Sequence, residues 1–306
     1  MSAKFLAFLP LFALATAGCA LAEASAEPAA PLAPEGDRAA WVAACEDWDE
    51  WDKKGPPFRI DGNSYYVGTC GISAILIVGD DGLVLIDSGT EAGSQVVEAN
   101  IAALGFAMAD VKAHLTSHEH FDHVGGLARL QRLSGAPVYT SAAAAPVLRT
   151  GNDNPRDPQA GLHDPMAPVT GEIRVVADGE ALVLAGVPLT AIATPGHTLG
   201  AMSWQWESCE DTRCVTVVFG DSLTAVSSDD YRFTDHLEYV ALFRQGIARL
   251  AGLDCELLLT PHPSASDMPA RLKGEKPWID AGACDAYAAM VTGRLDGRLA
   301  REAEAR

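Results

Sequence analysis

The densest run of metal-binding side chains in the sequence is Thr116-Ser-His118-Glu-His120-Phe-Asp122-His123. Three imidazoles and the carboxylate of Asp122 fall within six residues, with no thiolate among them. Such a nitrogen and oxygen donor set suits Zn²⁺ in an open catalytic site, whereas a closed structural site more often uses Cys. In an extended chain His118 and His120 face the same way, while the adjacent Asp122 and His123 diverge unless the backbone turns. The cluster therefore calls for a loop between a strand and a helix. Two further histidines stand just past apolar runs, His197 in Thr194-Pro-Gly-His197 and His262 in Thr260-Pro-His262. Strand ends are where such sheets present ligand groups, so five of the eight histidines can converge. The other three, His114, His163 and His236, are expected to be satisfied or solvated side chains.

The elements that would carry these loops are readable as alternating apolar runs and polar punctuation. Strands are expected at Ile72 to Val78, Leu83 to Ile86 and Val111 to Thr116, with helices around Ser94 to Leu104 and Gly125 to Leu133. A second set of strands is expected at Arg174 to Val176, Ala181 to Leu184, Leu189 to Ala193, Val215 to Phe219 and Glu256 to Thr260. Helices close the chain near Thr234 to Leu250 and Ala281 to Ala300. Strands and helices mixed without strict βα alternation suggest an α/β protein of two packed sheets with helices outside.

Composition sets the surroundings. The 306 residues are 48% hydrophobic, enough for one large or two small cores. Lys and Arg total 22 against 41 Asp and Glu, a formal charge of −19 that argues against nucleic acid or an anionic membrane surface as partner. Met1-Ser-Ala-Lys4 leads into an apolar run from Phe5 to about Ala17, too short for a mature membrane span and readable as a secretory signal. The expected organisation is a signal peptide over 1–22, with cleavage as late as 26, a flexible leader over 23–37, and one domain over 38–306. Ala17-Gly18-Cys19 also resembles the end of a lipobox, so no membrane contact is expected unless Cys19 is lipidated. The remaining cysteines, Cys45, Cys70, Cys209, Cys214, Cys255 and Cys284, form an even set suited to an oxidising, periplasmic or extracellular compartment. Separation favours pairing of sequence neighbours, with buried free thiols as the alternative.

HxHxDH, then the Gly-His of PGHT, then the His of TPHPSAS resembles the metallo-β-lactamase superfamily over nearly the whole expected mature chain. Within it the sequence is similar to subclass B3. That resemblance implies an αβ/βα sandwich of two mixed β-sheets flanked by helices, with a metal site along one edge. It implies two Zn²⁺ per chain, one held by His118, His120 and His197, the other by Asp122, His123 and His262. Subclass B2 has Asn at the position of His118, and subclass B1 uses a Cys that Phe219-Gly-Asp-Ser222-Leu-Thr224 lacks. The stretches Trp48-Asp-Glu-Trp51 and Tyr66-Val-Gly-Thr-Cys70-Gly are also similar to B3, and the resemblance supports the neighbour pairing of the cysteines.

The activity implied is hydrolysis of the β-lactam amide of penicillins, cephalosporins and carbapenems by a metal-bound hydroxide, in a monomer with a small-molecule partner. Asp122 would orient the nucleophile and relay its proton. Ser222 and Thr224 resemble hydroxyls that contact a substrate carboxylate, although turn chemistry explains them equally well. Asp221 resembles a carboxylate that bridges metals in thioesterase and lactonase relatives, but orientation of a ligand from behind is the favoured role. Asp87 is expected to do the same from a turn. The alternatives are a thioesterase or acyl-homoserine lactonase of the same fold, and a non-catalytic periplasmic zinc-binding protein.

Overall fold

The structure, a computed structural model, describes Met1 and residues 37–305. The expected signal peptide apart from Met1, the Cys19 motif and nearly all of the leader lie outside the described residues.

Twelve strands are found among the described residues, in two sheets. The first runs in chain order through β1 (Phe58–Asp61), β2 (Ser64–Tyr66), β3 (Ile75–Gly79), β4 (Gly82–Ile86), β5 (Val111–Leu115), β6 (Val138–Thr140) and β7 (Ile173–Val175). It is antiparallel as far as β4 and parallel beyond it. The second comprises β8 (Ala181–Leu184), β9 (Val187–Ala193), β10 (Met202–Glu210), β11 (Arg213–Phe219) and β12 (Leu257–Leu259), adjacent in that order. Only β11 and β12 pair in parallel there. The helices are α1 (Arg38–Ala44), α2 (Gly93–Ala103), α3 (Phe121–Val124), α4 (Leu127–Ser134), α5 (Ala144–Thr150), α6 (Leu237–Ala251), α7 (Met268–Leu272) and α8 (Ala283–Glu304).

Side-chain alternation sorts the strands into layers. On β4, Val84 and Ile86 join Leu189, Trp204, Val217 and Phe219 in a core between the sheets. Leu83 and Leu85 turn the other way, onto Val97 and Ile101 of α2. Across the second sheet Val218 and Leu258 pack outward on Phe243 and Ile247 of α6 and Tyr287 and Val291 of α8. Both faces of the central strands are thus covered, which is why their sequences read as unbroken apolar runs. The result is helix, sheet, sheet, helix: the αβ/βα sandwich that the resemblance implies.

Several expected elements are corrected. The strand expected from Ile72 begins at Ile75, and the helix expected from Gly125 begins at Leu127. Gly125 and Gly126 separate α3 from α4, and a Cβ on Gly126 would meet Ser94 Cβ at 2.3 Å. The helix expected from Thr234 begins at Leu237 after a single tight turn. The longest strand, β10, is absent from the expected set, as are β1, β2, β6, α1 and α5. Disulfides join Cys45 to Cys70, Cys209 to Cys214 and Cys255 to Cys284.

Candidate metal centre

The loop after β5 carries the histidine cluster, and the end of β4 shapes it. Asp87 holds φ at 60°, a conformation uncommon outside glycine. Its carboxylate accepts from the Ser117 amide at 2.7 Å and the Ser117 hydroxyl at 2.6 Å, fixing the backbone one residue ahead of His118. His120 caps α3, so Asp122 and His123 diverge around one helical turn. His197 follows β9 through Pro195 and Gly196, where a Cβ on Gly196 would meet the Phe243 ring at 2.3 Å. Only glycine permits that approach. His262 leaves the end of β12.

These loops bring the five histidines and Asp122 together. One donor atom from each of His118, His120 and His197, and one from each of His118, Asp122 and His123, lie within 4.8 Å of one another. His120 Nδ1 is 3.2 Å from His197 Nε2. Asp122 Oδ2 is 3.0 Å from His123 Nε2 and 3.4 Å from His262 Nε2.

The outer nitrogens are held from behind. His118 Nδ1 donates to Asp221 Oδ1 at 2.7 Å. His197 Nδ1 donates to the Thr224 carbonyl at 2.9 Å, with Thr224 Oγ1 at 3.1 Å. His120 Nε2 meets Asp157 Oδ2 at 3.1 Å, whereas Asp87 Oδ2, at 3.8 Å, is too far to hold His123 Nδ1 by a hydrogen bond. These contacts leave His118 Nε2 and His197 Nε2 facing inward with lone pairs. His118 Nε2 and His123 Nδ1 are buried and have no hydrogen-bond partner, and His123 Nε2 has only the Asp122 carboxylate beside it among the described residues. Orphaned buried nitrogens are costly unless something ligates them, so the residues present fit a divalent metal.

Electrostatics agree at His118, His123 and His197 but not at His120, where burial would lower the ring but the neighbouring carboxylates, Asp157 first, outweigh it and raise it. Burial, then neighbouring imidazoles, holds His118 well below the usual histidine range and pushes His197 down to about 3. Burial also lowers His123. These rings are therefore neutral and able to ligate near pH 7. Burial alone would raise the Asp122 carboxyl, but His123, His262 and His118 outweigh it and hold it well below the usual carboxylate range. Burial pushes Asp221 up to about 6.

The centre opens into a cavity of about 560 Å³ walled by Trp48, Trp51 and Phe121. Ser222 lines it with a buried hydroxyl that has no partner, whereas the Thr224 hydroxyl turns to His197. Asp157 and Gln159, which no motif marks, reach the centre from the irregular segment after α5, with Gln159 Nε2 at 3.5 Å from both His120 and His197. His114 is buried on Ser134 and His236 stacks on Tyr231, but His163 packs on Phe121 at the cavity wall.

The sandwich and the histidine-rich loops at its edge define a class: the chain belongs to the metallo-beta-lactamase superfamily, whose family profile matches residues 67–262. That family implies a divalent metal at this centre. Its similarities among solved structures run to the B3 branch. It is 54% identical to the MIM-2 metallo-β-lactamase, at a TM-score of 0.82 over 89% of this chain and 100% of that one. MEM-A1, a subclass B3 metallo-β-lactamase isolated from a soil metagenome library, is 40% identical, at 0.81 over 84% and 100%. Among curated proteins, the probable metallo-hydrolase YflN of Bacillus subtilis (strain 168) is 30% identical over 205 residues, 58% of this chain and 74% of that protein.

Proposed function

We propose that this protein is a zinc-dependent β-lactamase of the B3 type, which opens the four-membered cyclic amide of penicillins, cephalosporins and carbapenems. The observation that carries this reading is the inward-facing donor set at the floor of a single aromatic-walled cavity. His118 Nε2, His120 Nδ1 and His197 Nε2 would hold one zinc, and Asp122, His123 and His262 a second. Zinc bound there would supply Lewis acidity and lower the pKa of a water ligand to about 7.

The chain's own residues do the rest. Asp122, kept ionised by its histidine neighbours, accepts the proton released when the amide carbon is attacked. Asp221 and Thr224 fix the tautomers and ring planes of His118 and His197. The free Ser222 hydroxyl receives the substrate carboxylate, while Trp48, Trp51 and Phe121 shed water from the apolar body of the substrate. Asp221 turns one oxygen onto His118 and the other toward the Leu223 amide at 3.5 Å, which favours orientation over a bridging role.

We further read the protein as exported, on its signal-like N-terminus and three disulfides. Among the described residues no helix is long and apolar enough to cross a membrane. The test is hydrolysis of one penicillin, one cephalosporin and one carbapenem with and without chelator, beside a glutathione thioester and an acyl-homoserine lactone. Chelator-sensitive opening of all three lactams, with two equivalents of zinc bound, is expected. Preference for the thioester or lactone, or full activity without metal, would overturn the reading.

A further inference from the structure

In a chain of net charge −19, the cavity wall that faces α8 carries three arginines: Arg294, Arg298 and Arg301. Their spacing of four and three residues places them on one face of the helix. Two contacts fix that face against the segment that follows β11. Tyr287 Oη donates to the carbonyls of Asp221 at 3.1 Å and Ser222 at 2.5 Å, and Arg298 Nη2 donates to Ser227 Oγ at 2.8 Å. Arg294 lies between these anchors, about two turns after Tyr287 and one before Arg298. It lines the same cavity as Ser222, Thr224, Ala225 and Val226, and Arg301 follows about one turn beyond Arg298.

The three guanidiniums differ in what they hold. Arg298 is committed: it pairs with Glu302 at 2.6 Å and lies over the Phe233 ring. Arg294 and Arg301 are exposed and form no ion pair with any described residue. On the same helix Asp296 is taken by Arg244 at 2.6 Å and Glu302 by Arg298, while the exposed Glu304, three residues from Arg301, forms no ion pair with any described residue. Two uncommitted cations thus face a cavity whose protein as a whole repels anions, and arginine suits bidentate capture of a carboxylate.

We propose that Arg294 and Arg301 form a cationic subsite on α8 that captures the carboxylates of the substrate and selects for substrates carrying two of them. The inference deepens the reading above and rests on it for the identity of the anion. Arg294 reinforces the Ser222 hydroxyl at the carboxylate next to the scissile ring, and Arg301 receives a second carboxylate on the side chain. The subsite also offsets the repulsion an anion meets on approach, so removing it should leave the protein's net negative field unopposed.

The test compares wild type, Arg294→Gln, Arg301→Gln, the double variant, Arg294→Lys, and Arg132→Gln, which removes an equal charge from an exposed position on α4 outside the cavity wall. Two readouts are used: KM and kcat for a mono- and a dicarboxylate penicillin, and calorimetric binding of the hydrolysed form of the dicarboxylate penicillin, which keeps its side-chain carboxylate. In the double variant KM for the dicarboxylate and Kd for the hydrolysed penicillin should each rise at least about 5-fold, with the loss on KM and not on kcat. KM for the monocarboxylate should rise less, Arg294→Lys should recover part of the loss, and Arg132→Gln should match wild type. Added salt should weaken binding to wild type and strengthen it to the double variant. Unchanged constants in the double variant, equal losses for both penicillins, or an equal effect from Arg132→Gln would overturn the proposal. If wild type opens no β-lactam yet the calorimetric pattern holds, the subsite stands and the reading of the reaction falls.

Discussion

Replacing Asp221 with Ala tests how the first metal site is built. Asp221 is fully buried, and among the described residues its Oδ1 is the one carboxylate oxygen on His118 Nδ1, at 2.7 Å. That contact puts the proton on Nδ1 and the lone pair on Nε2, the atom that faces the other histidines. Removing the acceptor leaves a buried N–H unsatisfied, at a cost of about 1 to 3 kcal/mol. The ring then gains by turning or by moving its proton to Nε2, and either change spoils the ligand. Loss of such an outer partner weakens metal binding about 10- to 100-fold, or roughly 1.4 to 2.7 kcal/mol. The assay is competitive zinc titration with a chromophoric chelator, resolving the two binding events. The site formed by His118, His120 and His197 should weaken by that factor, while the site formed by Asp122, His123 and His262 changes less than about 3-fold. Equal weakening of both sites would mean that Asp221 bridges the metals. Unchanged affinity at the first site would refute the orienting role.

Asp122→Asn should keep the fold and measurable zinc but lose at least about 100-fold in kcat, because a neutral amide ligates weakly and cannot take the proton; near-normal turnover with both metals bound would remove Asp122 from the chemistry. Cys255→Ala with Cys284→Ala opens a loop with a sequence separation of 29, and denaturant unfolding should show a loss of about 3 to 4 kcal/mol on the chain-entropy model. The same treatment of Cys209 and Cys214, separated by only 5 residues, should cost less. Burial pushes His114 down to about 4 from its unfolded value near 6.5. Because the folded state resists the proton, its contribution is fully present above pH 6.5 and is lost as pH falls toward 4, amounting to about 3 kcal/mol. His114→Gln should flatten that part of the acid limb, and an identical limb in the variant would count against it.

The candidate ligands were legible because His118, His120, Asp122 and His123 are compressed into one loop and because His197 and His262 each follow an apolar run. The sheets were legible in part. β3 and β4 stand out because both faces are buried, whereas β10 alternates Trp204, Trp206 and Ser208 inward with Gln205 and Glu207 outward, and its polar half hid it. The groups that support the ligands were less visible. Asp157 reaches His120 from a segment with no regular structure, and Arg294 and Arg301 reach the cavity from a helix over 150 positions away from the histidine cluster. No local pattern marks a contact made only when distant segments pack. Asp221 and Thr224 were singled out by their neighbourhood, yet which atom each would touch depended on the geometry.

The histidines of the first site come from different halves of the molecule: His118 and His120 hang from the first sheet, and His197 from the second. An ion shared among them would be a rivet through the sandwich as well as a reagent. Its binding energy adds to the cohesion of the two layers, so the metal-free chain should open more often along that seam and meet proteases there. Zinc scarcity would then thin the population of the protein itself, and activity in a starved cell would decline through turnover of the chain in addition to emptying of the site.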